Sequence, residues 1–147
     1  MANTQLSDAT HVLAYIALHE NNQSVKSSEI AISLQTAPSL VRRIMSKLKK
    51  AHLLNAVQGS PQPVLAKTAQ QITLQEIYLA ISSERHLLNV DRNTALSCPI
   101  GTAIPKVLTH YYKEIQDVAE TKMAEITLQD IIDDIKVQEE QRLNSID

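Results

Sequence analysis

The sequence predicts a mainly α-helical fold, built as a winged helix-turn-helix domain with a small β-hairpin wing and continued by a long C-terminal dimerisation helix. Three observations predict it. At about 100° per residue, the stretch beginning at Pro38 sorts into an apolar side (Leu40, Val41, Ile44, Met45, Leu48) and an opposite side of Ser39, Arg42, Arg43, Ser46, Lys49 and Lys50. A short helical pattern stops only a few residues before it, so the two helices join through a tight turn. From Ile104 through Leu108, Tyr111, Ile115 and Val118 the apolar residues recur at steps of four, three, four and three, the spacing of a coiled-coil seam.

Each element has a local reason. Leu6, Val12, Leu13, Ile16 and Ala17 share one face of a first helix, and the polar run Asn21-Asn22-Gln23 ends it. In the second helix Ser27 is the expected cap, Glu29 suits the positive end, and Ile30, Ala31 and Leu34 supply the buried face. Pro38 is tolerated in a first helical turn, where the N–H it lacks would have no intrahelical partner, so the basic helix starts at once. Beyond Leu54, residues 55–58, a polar tip at 59–63 and Val64 to Ala66 read as a hairpin.

Thr73-Leu74-Gln75-Glu76 is a capping box that opens a helix through about Ser82, with Ile77, Tyr78 and Ile81 available to the core. The near-copy Ile126-Thr127-Leu128-Gln129-Asp130-Ile131 opens a last helix in the same way; it is one capping solution used twice, too short to mark a duplicated domain. Between them, residues 84–97 carry Leu87, Leu88, Val90 and Leu96 and are expected to dock on a neighbouring element. The expected division is therefore a winged helix-turn-helix domain at 1–83, a connector at 84–97, and the dimerisation helix with a terminal helix at 98–147.

Composition narrows the function. Only Gly59 and Gly101 are glycines, so no dinucleotide fingerprint and no phosphate-cradling glycine loop can be drawn. Phe and Trp are absent, which disfavours stacking of single-stranded bases and leaves double-stranded DNA as the nucleic-acid partner to expect. The formal charge of −2 hides an asymmetry: residues 1–67 hold seven Lys/Arg against three Asp/Glu, a balance of +4, and the remainder is −6. Within Arg42 to Lys50, five of nine residues are cationic and none is acidic, a pattern that suits phosphates in front and a core behind. Without a long apolar run or a signal-like N-terminus, no membrane partner and a cytoplasmic location are expected; the single cysteine, Cys98, fits a reducing compartment.

Taken together, Ser28-Glu29-Ile30-Ala31, the stretch from Pro38 to Leu54, Ile72 to Ile81, and Ser97-Cys98-Pro99-Ile100-Gly101 resemble the Rrf-two (BadM-type) family of bacterial winged-helix transcriptional regulators. The resemblance spans nearly the whole chain. It implies a homodimer held by the long helix, binding operator DNA, usually as a repressor, with a sensor near the start of that helix. Two departures stand out. The family's wing commonly carries Arg-Gly followed by Gly-Gly-Tyr, where this chain has Gln58-Gly59 and then Ser60 to Val64. His52 stands where the family has the glycine that terminates the recognition helix, so a left-handed conformation is expected there. Several members hold an iron–sulfur cluster with three cysteines in the region of Cys98; one thiol with His86 or His110 is not such a ligand set, and no cofactor and no metal are expected.

The candidate DNA contacts are Ser39, Arg42, Arg43 and Ser46 toward the groove, Lys47, Lys49 and Lys50 toward phosphates, and Ser28 on the second helix. The candidate dimer interface is Ile104, Leu108, Tyr111, Ile115 and Val118, against the alternative of a stripe buried within the chain. Cys98, at the start of the long helix, is either a sensor thiol for an oxidant or thiol-reactive signal or a buried small hydrophobe. His11, His19 and the His110/Glu114 pair are expected in surface or packing roles, and no catalytic site is expected. The expected function is a sequence-specific, DNA-binding transcriptional regulator, with repression as the expected outcome and oxidation or modification of Cys98 as the expected switch. The alternatives are a winged-helix protein-interaction module without operator binding, and a regulator that senses a small ligand.

Overall fold

The computed structural model describes residues 4–20, 25–56, 62–84 and 86–146. In chain order they form α1 (Gln5–Leu18), α2 (Ser27–Leu34), α3 (Pro38–Lys50), β1 (Leu54–Ala56), β2 (Pro63–Leu65), a 3-10 turn (Ala69–Gln71), α4 (Leu74–Ile81), α5 (Pro99–Glu125) and α6 (Leu128–Asn144). The helix stop at Asn21 to Gln23 and the hairpin tip at 57–61 lie outside the described residues.

The core is aliphatic because the chain offers almost nothing else. Leu13 and Ile16 of α1, Ile30 of α2, Val41 and Leu48 of α3, Leu54 of β1 and Ile77 of α4 are fully buried in one cluster. Each such side chain contributes roughly 1.5–3 kcal/mol by leaving water. Leu128 and Ile132, from the first turns of α6, belong to the same cluster and close it over α1 and the 3-10 turn. The helix after the long one therefore completes the core of the first half of the chain, which its sequence grouping with residues 98–147 does not anticipate.

The turn between α2 and α3 is fixed by backbone bonds. Gln35 takes a left-handed conformation (φ 53°), and the N–H groups of Gln35 and Thr36 donate to Ile32 and Ala31, the paired closure of a Schellman motif. The same motif ends α3: His52 has φ 59°, His52 N–H donates to Lys49 and Leu53 N–H to Leu48. The left-handed conformation expected at His52 is thus found. A Cβ disfavours this region, so Gln35→Gly and His52→Gly are each expected to raise stability by about 0.5–1 kcal/mol, read as a higher midpoint in thermal or urea unfolding. An unchanged or lower midpoint would show that the side chains contribute more than the strain removes.

One reading of a helix end is corrected. Ser27 does not cap α2; the capping position is Lys26, whose side chain makes no cap bond, and Ser27 is the first helical residue. His19 follows α1 as its capping residue, where its ring stacks on Tyr15 at 4.2 Å and its Nδ1 lies 2.8 Å from Tyr15 O. His11 Nε2 meets Ser33 Oγ at 2.8 Å, joining α1 to α2.

The two capping boxes form as read, Thr73 with Glu76 and Thr127 with Asp130. They also pair with each other. Thr73 and Thr127 form an antiparallel bridge in which Leu74 N–H donates to Ile126 O and Leu128 N–H to Ile72 O, both at 2.8 Å. The starts of α4 and α6 are thereby stitched side by side. Lys67 adds an ion pair to Glu76 at 2.8 Å, so this member of the basic half is already partnered.

The connector docks on α5. Pro105 lies inside that helix and cannot donate to the Gly101 carbonyl one turn back; the Thr94 hydroxyl donates to that carbonyl instead. Gly101 permits the approach, since a Cβ there would press on the carbonyl oxygen of Ala95. Gly101→Ala is expected to displace the 95–98 turn and to destabilise by about 1–3 kcal/mol, with amide exchange rising first in the connector. Full protection of the connector in that variant would contradict the close approach. The leucines of the connector stay exposed: Leu87, Leu88 and Leu96 do not enter the core. Among the described residues, no helix is long and apolar enough to cross a membrane.

Candidate nucleic-acid interface

Helix α3 sits on the core through Val41, Ile44, Met45 and Leu48, all buried, which turns the opposite face outward. Ser39, Arg42, Arg43, Ser46, Lys49 and Lys50 are exposed, as the periodicity requires. Among the described residues, none of the four cations Arg42, Arg43, Lys49 and Lys50 has a carboxylate within ion-pairing distance, whereas Lys67, Lys113, Lys122 and Arg142 each have one. An uncompensated cationic helix face backed by a rigid core is poised for an external polyanion.

Arg42, Ser46 and Lys49 line one wall of a shallow depression of about 280 Å³ whose other walls are Val25, Ser27, Met45 and Pro63. The exposed helix face thus borders the first residue of strand β2. Ser27 and Pro63 escape a reading by helical periodicity because they come from other elements, and only the fold brings them beside α3. Ser39, Arg43 and Lys50 lie on the same exposed face outside the depression, and Ser28 is exposed on α2. Lys47 differs from the rest. It stands on the flank of the basic face, half-buried, with Nζ 3.5 Å from the carbonyl of Ile81 at the end of α4, where the helix dipole favours a cation.

The hairpin pairs Leu54 with Leu65, Asn55 with Val64 and Ala56 with Pro63 in antiparallel register. It follows α3 directly, so the strands flank the basic helix as a wing does. Leu53 and Leu54 are buried, and Ala66 N–H donates to Leu53 O at 3.0 Å, which fixes the base of the wing to the core.

The apolar seam of α5 lies open. Ile104 is 36 % exposed, Tyr111 55 %, Ile115 49 % and Val118 71 %, while Leu108 is half-buried, so four of the five seam residues do not belong to a stripe buried within the chain. Gln116, on another face of α5, is buried and polar: its Oε1 accepts from Leu87 N–H at 2.8 Å, and its Nε2 donates to Tyr78 Oη at 3.0 Å and Glu120 Oε2 at 3.2 Å. This one side chain ties the connector and α5 to α4. Cys98 occupies the capping position of α5 and is exposed, which removes the reading of a buried small hydrophobe.

A winged helix-turn-helix with a free basic recognition helix defines a DNA-binding protein. The family model described as Rrf2, an iron-dependent transcriptional regulator, matches residues 2–134, and the chain belongs to this family of transcriptional regulators. YwnA of Bacillus subtilis (strain 168), provisionally named an HTH-type transcriptional regulator, is 34 % identical over 132 residues, covering 90 % of this chain and 97 % of YwnA. A crystal structure provisionally described as that of a DNA-binding protein matches with a TM-score of 0.70 and 30 % identity, over 87 % of this chain and 98 % of that one. CymR, the global cysteine regulator of B. subtilis, shares the fold with a TM-score of 0.64 at 15 % identity, over 90 % of this chain and 96 % of its own.

The iron in the family's description finds no matching ligand set. Cys98 is the sole thiol, His110 is exposed and engaged with Glu114 at 3.2 Å, and no group of three or more His, Cys, Asp or Glu is clustered to hold a metal ion among the described residues. The residues present do not fit a thiolate-ligated iron–sulfur cluster.

Proposed function

We propose that this chain is a homodimeric, sequence-specific transcriptional repressor that reads duplex DNA with α3. The observation that carries the reading is the row of exposed cations on α3 without carboxylate partners. Ser39, Arg42, Arg43 and Ser46 face the major groove, Lys49 and Lys50 contact phosphates, and Ser28 contacts the backbone beside them. Lys47, held at the end of α4, orients the helix more than it contacts DNA. Two copies joined through Ile104, Leu108, Tyr111, Ile115 and Val118 present two α3 helices to successive turns of a palindromic site.

The test is a salt titration of binding to DNA from the protein's own promoter and to random duplex. A DNA reader loses affinity with a log–log slope of about −0.9 per phosphate neutralised, and retains a preference for its promoter. A protein-interaction module would bind neither duplex.

Exposure of Cys98 at the helix start supports a thiol switch. Peroxide oxidises the thiolate to a sulfenic acid, which condenses with a second thiol to give a disulfide and water. The second thiol is a small cellular thiol or the partner's Cys98, because each chain has one cysteine. A peroxide pulse is expected to lower operator binding in the wild type and to leave Cys98→Ser unchanged. An equal response in Cys98→Ser places the signal elsewhere.

A further inference from the structure

Two of the bonds that fasten the connector to α5 lie far apart along the helix. Thr94 closes onto Gly101 near the start of the helix, and Leu87 N–H is held by Gln116 more than three turns further along. Between these anchors the chain does not lie flat. It spans a cleft of about 440 Å³, a size within the usual range of small-molecule sites. Leu88 and Val90 form its connector wall and Tyr112 its helix wall; Arg92 and Thr109 close one end, Asp117 and Glu120 the other.

The charges in the cleft are not equivalent. Lys113 is paired with Asp117 at 3.1 Å, and Glu120 accepts from Gln116. Arg92 has no carboxylate partner among the described residues; its Nη2 donates to Thr109 Oγ1 at 3.1 Å, and most of its donors stay open where it lines the cleft. An open guanidinium selects a planar anion through two parallel bonds. Phosphate is disfavoured by the carboxylates of Asp117 and Glu120 at the far end. An α-amino acid is disfavoured by distance, since Thr109 and Glu120 are separated by about 16 Å of helix rise and its two charged groups are borne on one carbon.

We propose that this cleft binds a small organic monocarboxylate with an apolar body, the carboxylate on Arg92 and the body against Leu88, Val90 and Tyr112. The cleft residues of α5 lie on the side of the helix away from the Ile104 to Val118 seam, so a partner docked on the seam leaves the cleft open. Gln116 lines the cleft and bonds Tyr78 of α4, which packs on α3, so occupancy is felt by the basic helix; this last step rests on the DNA-binding reading.

The probe is 4-phenylbutyrate, titrated calorimetrically into the full chain without DNA, with 4-phenylbutanol as the uncharged control. One saturable site per chain is expected for the acid. Binding at least about tenfold weaker is expected for the alcohol and for the acid with Arg92→Gln, whose exposed position leaves the fold intact, as circular dichroism checks. Absence of saturable binding to the wild type overturns the proposal. So does undiminished binding in folded Arg92→Gln, or amide shifts that map to the seam instead of Leu88, Val90 and Tyr112. Because no DNA is present, these outcomes are independent of whether the chain binds an operator.

Discussion

Arg42→Ala combined with Arg43→Ala is expected to erase the preference for operator over random duplex. A bidentate arginine–guanine contact is worth about 1–3 kcal/mol of discrimination, so the operator affinity should fall roughly hundredfold while the random-duplex affinity falls far less. Both side chains are exposed and Val41, Ile44 and Met45 hold the helix beneath them, so the fold survives the change. Lys50→Ala is the control: it should weaken both duplexes equally and reduce the log–log salt slope by about 0.9. Equal losses on both duplexes in the double arginine variant would make these residues backbone contacts, and the base-reading role would pass to Ser39 and Ser46.

A comparable loss is expected from the seam. Ile115→Glu with Val118→Glu places four carboxylates along the two-fold axis of a dimer, where each would be desolvated beside like charges. In a single chain Ile115 is 49 % exposed and Val118 71 %, so the monomer tolerates the change. The variant should sediment as a folded monomer. Its operator affinity should drop by about a hundredfold or more, because the second half-site is no longer reached at the effective concentration that linkage provides. A variant that remains dimeric would locate the interface on another face.

Much of this architecture is legible in the sequence because it is local. The α3 pattern depends on 3.6-residue periodicity within one helix, and Val41, Ile44, Met45 and Leu48 are buried while Arg42, Arg43 and Lys50 are not. The capping boxes at Thr73 and Thr127 are four-residue signals, and both form. The left-handed turn at His52 follows from a position that favours glycine.

What escapes the sequence depends on contacts between distant residues. Ser27 has the chemistry of a cap, but the backbone places Lys26 at that position, and Ser27 lines the depression beside α3 instead. Lys47 sits in a cationic run whose pattern cannot reveal that Ile81, thirty-four residues later, offers it a carbonyl. Gln116 reads as one more polar residue on a long helix; only folding brings Leu87 and Tyr78 to its amide. The connector illustrates the same limit. Its leucines imply burial, yet its polar attachment to α5 runs through Thr94, Arg92 and the Leu87 N–H, and the leucines stay outside the core.

The bridge between Thr73 and Thr127 sets an order of events during synthesis. Leu128 and Ile132 fill a space that α1 and the 3-10 turn leave open, and the ribosome makes them more than fifty residues after Ile72. A nascent chain that has emerged only as far as α4 has all the parts that would touch DNA and an unclosed core. It must wait, with apolar surface uncovered, until α5 has run out and doubled back. A chain interrupted within α5 therefore leaves uncovered the apolar surface that Leu128 and Ile132 close, the kind of surface that chaperones and proteases recognise.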